Sequence, residues 1–250
     1  MEIYLDIKSF EGDHASKIEI DISTSTISEE EFTMLIKSKK ESNWKTVRIN
    51  VFISTREDIE LGSSFAKNPI LFQDDTFPVK YEPTIDFKKE GTKIKAFISS
   101  IDLVSTGESV GVQLEREDQI DNSLIFYFSS FKNTSVRFLK ISIIIFQSNS
   151  PGLLYSQGFI EQNFLTTIVE VDIPEHGINN LRSYIVGPIS FQLLTEEQAS
   201  FTADFSDEFR LVFGSESKNE IRYLAVNYLI FSVIECGSCT HFPFPYNGGC

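Results

Sequence analysis

Residues 124–146 read LIFYFSSFKNTSVRFLKISIIIF, and residues 209–231 read FRLVFGSESKNEIRYLAVNYLIF. The two stretches align without a gap. Six pairs are identical: Phe128/Phe213, Ser130/Ser215, Arg137/Arg222, Leu139/Leu224, Ile145/Ile230 and Phe146/Phe231. A third copy lies at 32–54, FTMLIKSKKESNWKTVRINVFIS, where Phe32, Ser38, Asn50 and Ile53 match Phe209, Ser215, Asn227 and Ile230. Self-similarity at separated positions signals a repeated structural unit and decides the fold before any single residue does.

The repeat extends upstream. Ile18, Ile20 and Ile22 fall on Val110, Val112 and Leu114, and Ile3, Leu5 and Ile7 fall on Ile94, Ala96 and Ile98 after a one-residue shift. Ile18-Glu-Ile-Asp-Ile22 and Val47-Arg-Ile-Asn-Val51 alternate with a period of two, which places apolar side chains on one face of a strand and polar ones on the other. Each copy therefore reads as four strands, with a polar loop (37–43, 129–135, 214–220) before the last. Loops of this kind suit hairpins between antiparallel strands. Strands with one buried and one wet face suit sheets packed as a sandwich. Residues 55–84 read as a linker and leading strand, 148–156 as a second linker, and Thr167–Ile173 as a strand ended by Pro174. Ser28–Glu31 reads as an acidic turn, since no helical period follows it.

Composition agrees with strands. The chain of 250 residues has 23 Phe and is 41% hydrophobic and 23% charged, enough apolar content for a packed core. Its net charge of −14 excludes nucleic acid as an expected partner, because phosphate binding needs a basic face. An anionic membrane surface is disfavoured for the same reason, and no apolar run is long enough for a membrane-spanning helix.

With these strands on the page, the pattern resembles the H-type lectin domain of the discoidin and snail-agglutinin kind. Ile101-Asp102 resembles that family's Ile-Asp element. Its penultimate strand is matched by Phe32–Ile36, Phe126–Phe128 and Leu211–Phe213, and its last strand by Ile49–Ile53, Ile141–Ile145 and Val226–Ile230. The family's last-strand Trp is replaced by Val51, Ile143 and Tyr228. The resemblance implies an all-β chain of three small antiparallel β-sandwich domains in tandem. The repeats are 1–54, 85–147 and 157–232, with a linker and leading strand at 55–84. A Cys-rich tail, or the start of a disulfide module, follows at 233–250. It also implies either a covalent pseudo-trimer or a row of domains.

The residues that carry chemistry point to binding. His14, His176 and His241 belong to no catalytic motif, and the glycines form no phosphate loop, so no enzymatic activity is expected. No cofactor is expected, with Ca²⁺ at Glu115, Glu117, Asp118 and Asp121, or at Asp204, Asp207 and Glu208, as the alternative to solvated turns. Sugar binding needs an aromatic face and fixed polar groups. The candidates are Trp44, the only Trp, together with Tyr223, Tyr228 and, through the resemblance, Asp102. Asn133-Thr-Ser135 is a glycosylation sequon. Cys236, Cys239 and Cys250 are disulfide candidates, with half a zinc site as the other reading. The expectation is an extracellular or cell-surface protein that binds glycans or other copies of itself, as an oligomer or filament. The rival is a structural subunit of a filament or coat without sugar binding.

Overall fold

The computed structural model describes residues 2–12, 17–27, 31–37, 44–54, 56–69, 76–148, 153–165, 167–172, 183–195, 199–206, 210–215 and 221–233. The regular structure there is all strand. The first copy holds β1 (Glu2–Gly12), β2 (Lys17–Ile27), β3 (Phe32–Lys37) and β4 (Trp44–Ser54). The second holds β5 (Ile59–Lys67), β6 (Phe77–Tyr81), β7 (Thr92–Ser105), β8 (Ser109–Ile120), β9 (Ser123–Ser130) and β10 (Thr134–Gln147). The third holds β11 (Leu153–Leu165), β12 (Val169–Val171), β13 (Ser183–Leu194), β14 (Ala199–Phe205), β15 (Leu211–Gly214) and β16 (Ile221–Val233). They form three antiparallel sheets, in the orders β12-β15-β14-β1-β4, β3-β2-β7-β10-β5 and β11-β16-β13-β8-β9-β6.

These orders correct two readings of the sequence. The repeated stretches are not hairpins. β3 pairs with β2 while β4 pairs with β1, and β9 and β10, like β15 and β16, lie in different sheets. The polar loop before each last strand carries the chain from one sheet to another. The reason is visible in β10, where Ile141–Phe146 is buried at every position. A strand buried on both faces needs packing above and below, which a two-stranded hairpin with one wet face does not supply. Residues 55–84 are more than a linker and leading strand, since they hold both β5 and β6. Of Thr167–Ile173, only Val169–Val171 is strand, and Ile173 with Pro174 lies outside the described residues, as do residues 28–30 of the acidic turn.

The pairing repeats three times. β1·β4, β7·β10 and β13·β16 are equivalent pairs, as are β2·β3, β8·β9 and β14·β15. The copies join in a ring: β2 pairs with β7, β8 with β13, and β14 with β1. Register irregularities recur at the same places, at Lys8, Ser99 and Ile189 in one strand and at Lys45, Arg137 and Arg222 in its partner. Bulges of this kind bend a strand and re-aim its side chains.

Three equivalent hydrogen bonds rivet the ring. Asn50 Nδ2 donates to Val186 O at 2.8 Å, Ser142 Oγ to Leu5 O at 2.6 Å, and Asn227 Nδ2 to Ala96 O at 2.7 Å. In each case the last strand of one copy reaches the backbone of the preceding copy, cyclically. Beside these bonds lies a second apolar cluster, separate from the main core. It holds Tyr4, Phe97 and Ile185 from equivalent strands, Ile144 and Leu229 from the last strands, and Phe52 at its margin. Tyr4 meets Phe97 edge-on, with ring centroids 5.7 Å apart. Gly187 of β13 packs against the same region, where the Asp6 carboxylate leaves no room for a Cβ.

Candidate functional site

The four sugar candidates do not come together. Asp102 lies on β7, nearly buried, opposite Phe138 of β10 and Glu19 of β2. Tyr228 is a core residue. Its ring covers Gly158 and meets Phe205 edge-on at 6.1 Å, and burial raises its hydroxyl pKa. Tyr223 is half-buried on the third sheet and donates its hydroxyl to Glu161 Oε2 at 2.9 Å. Burial, then the bond and charge of Glu161, push that hydroxyl well above its ordinary pKa. Trp44 opens β4 opposite Gly12; its side chain lies outside the described residues.

The repeat does, however, give Asp102 counterparts. Through the shared register, Glu11 of β1 and Gln192 of β13 hold the same place, opposite Thr46 and Tyr223 as Asp102 is opposite Phe138. Two residues away, next to the bulge, Ser9, Ser100 and Ser190 are also equivalent. Each sheet thus carries a seam where two copies join, bearing a serine and a carboxylate or amide.

Two of these seams are filled by the protein itself. On the second sheet, Ser100 Oγ accepts from Ile22 N at 2.9 Å, and Lys140 Nζ donates to Ile22 O at 3.4 Å. Burial lowers the Lys140 pKa, opposed by Asp21. On the third sheet, Ser190 Oγ accepts from Leu114 N at 2.8 Å, and Gln192 Nε2 donates to Ser109 Oγ at 2.8 Å.

On the first sheet the same seam is a cleft of about 250 Å³ across β14, β1 and β4. Ser9, Glu11, Thr46, Arg48, Ser200 and Thr202 line it on the polar face, and Phe10 and Phe201 form its floor. Alternation along three neighbouring strands places all six polar residues on one side. Ser200 Oγ lies 2.6 Å from Ser215 Oγ. Glu11 is ion-paired with Lys45 at 3.7 Å. The register that opposes Thr46 to Glu11 brings the backbone of Trp44 to the edge of the same cleft. A guanidinium, a carboxylate and four hydroxyls can donate to and accept from a polyhydroxylated ligand. Glu11 and Arg48 did not stand out as sequence candidates. The signal was the upstream alignment, which, extended with the same offset, places Glu11 on Asp102.

The acidic residues do not converge. Glu115 accepts from Ser129, Asp118 pairs with Arg116 at 3.4 Å, and Asp121 sits in a left-handed turn. Asp204 is held by Lys8 at 2.6 Å and by the Tyr184 hydroxyl at 2.6 Å. Among the described residues no three His, Cys, Asp or Glu form a metal-holding group, and no helix is long and apolar enough to cross a membrane. Asn133 occupies an exposed left-handed turn between β9 and β10, with its amide against Gly107. Asp207, Glu208, His14, His176, His241, Cys236, Cys239 and Cys250 lie outside the described residues. No protein-family model, curated protein or solved structure matches the chain.

Proposed function

We propose that this chain is a non-enzymatic, extracellular or cell-surface carbohydrate-binding protein of three H-type lectin-like sandwich repeats, and that it holds its sugar in the cleft between β14, β1 and β4. The observation that carries the reading is the seam itself: Glu11 occupies the register position of Asp102, and Arg48 and four hydroxyls surround it. Sugar hydroxyls need such fixed donors and acceptors, and the role of an aromatic against the apolar sugar face falls to Trp44, the only Trp of the chain. Asp102, Tyr223 and Tyr228 play structural roles on this reading.

A glycan array with the recombinant chain tests it. Sugar binding is expected, falling about tenfold or more in Glu11→Ala, Arg48→Ala and Trp44→Ala without loss of folding. A folded chain with no glycan hit, or hits untouched by all three substitutions, would overturn the proposal. A second reading, a structural subunit of an extracellular filament or coat, is favoured by β3 and β4 ending their sheets among the described residues.

A further inference from the structure

The third sheet carries a second cleft on its outer face, apart from the one on the first sheet. Its volume is about 350 Å³, and Thr76, Glu115, Arg116, Ser129 and Ser130 line it. The two strands β8 and β9 build it. Leu124, Phe126 and Phe128 are buried in the core, so the alternating positions Tyr127 and Ser129 of β9 face outward. Opposite them the register of β8 shifts between Leu114 and Arg116. The extra residue there is Glu115, and a bulge of this kind re-aims a side chain. Glu115 accepts from the Ser129 hydroxyl. Arg116 lays its guanidinium over the Tyr127 ring, 4.2 Å from the centroid.

Aromatic rings flank the lining residues along β9. Tyr127 lies on one side of Ser129 and Phe131 on the other, a separation of about 13 Å at the rise of a strand. The Phe131 ring meets that of Tyr223, with centroids 6.3 Å apart. All three rings are partly exposed. Glu115 stands between the two aromatic positions, bonded to Ser129. Its charge also reaches Tyr223, where it adds to burial and to Glu161 in holding the hydroxyl proton. The face thus offers flat apolar surface at two places and a carboxylate, a guanidinium and three hydroxyls between them.

The surroundings restrict what such a face can hold. β8 lies between β13 and β9, and β9 between β8 and β6, so a peptide strand finds no edge to join there. Glu115 and Asp118, in a chain of net charge −14, oppose a polyanion. The lining between the rings is polar, which disfavours a lipid. We infer that this cleft is a second saccharide site, for a linear neutral oligosaccharide lying along β9. The Arg116–Tyr127 and Phe131–Tyr223 pairs take the apolar faces of sugar units, and Glu115, Ser129, Ser130 and Thr76 bond the hydroxyls between them. The inference rests on the sugar-binding reading for its ligand class and adds a site to it. The donor set matches in kind the Glu11, Arg48 and hydroxyls of the first cleft, on a different sheet. Two sites on one chain hold a polysaccharide surface with avidity.

The probes are linear glucan, mannan and xylan oligosaccharides, from monosaccharide to hexasaccharide, titrated calorimetrically into the full chain. Binding that strengthens with oligosaccharide length is expected. It should persist in the variant with Glu11→Ala and Arg48→Ala, which disables the first cleft, and fall about tenfold or more in Glu115→Ala and in Tyr127→Ala. Glu115 is exposed, so its substitution leaves the fold intact, and melting temperatures control for Tyr127→Ala. Binding that disappears in the first-cleft variant, or that neither Glu115→Ala nor Tyr127→Ala weakens, would overturn the second site and leave the first standing. Binding that survives the first-cleft variant and vanishes in the other two upholds the second site and sinks the first. A folded chain that binds none of the probes would overturn the inference, while hits on the glycan array that depend on Glu11 would still uphold the first cleft.

Discussion

Gly187 offers the sharpest test of how the three copies meet. It occupies the position equivalent to Asp6 and Phe97, and all three lie together at the centre of the ring. A methyl group added there would sit 2.4 Å from Asp6 Oδ2, 3.1 Å from Ile7 O and 3.4 Å from Phe97 Cδ1. The first distance is shorter than any real contact, and the backbone oxygen cannot rotate away. Overpacking of this kind costs about 1–3 kcal/mol. For a chain of this size, Gly187→Ala should lower Tm by about 4–8 °C, taking ~2 kcal/mol as the cost. Most of the clash comes from the Asp6 side chain, so Asp6→Ala should relieve it. In that background Gly187→Ala should cost less than ~1 kcal/mol, a coupling of about 1 kcal/mol or more between the sites. Thermal unfolding of the wild type, both single variants and the double variant, followed by near-UV circular dichroism, measures the cycle. Equal cost in both backgrounds, or no cost in either, would refute the claim that equivalent strands of the three copies converge at this point.

Asp6 also predicts a pH dependence. Burial raises its carboxyl pKa well above the ordinary carboxylate value, only partly opposed by Asn50, Tyr4 and Lys8, the polar and charged groups that face it. The folded state therefore holds a proton that the unfolded state releases near pH 4, and stability should fall as pH rises from about 4 towards the folded pKa. Asp6→Asn should flatten this slope, so the two melting curves should lie furthest apart at the high-pH end. Parallel Tm-against-pH profiles would sink that account. Ile144→Ala, in the central cluster, should cost about 2–5 kcal/mol, whereas Val51→Ala, at an exposed position of β4, should stay within ~0.5 kcal/mol; urea denaturation of both variants compares them.

The all-β class and the repetition were legible in the sequence because a strand's period of two and a unit's duplication both leave direct marks on residue order. Ile18, Ile20 and Ile22 are buried as their alternation predicts. The equivalence of Glu11 and Asp102 was also readable, although it took the repeat to find it. What the sequence could not settle was partner choice. Alternation states which face of a strand is buried, but not which edge pairs with which neighbour, so β9 and β10 look like a hairpin although they belong to different sheets. The sandwich core was likewise legible in its apolar positions, yet its ring was not. Asn50, Ser142 and Asn227 differ in kind and look like ordinary polar strand residues until their donors are seen reaching the backbone of the neighbouring copy. The same holds for the cleft: Ser9, Arg48 and Thr202 are far apart along the chain, and only the seam between β14 and β1 brings them to one face. Local order sets propensity and pattern, while edge pairing is a long-range contest among many similar strands. Only the closed arrangement, in which β2 meets β7, β8 meets β13 and β14 meets β1, decides it.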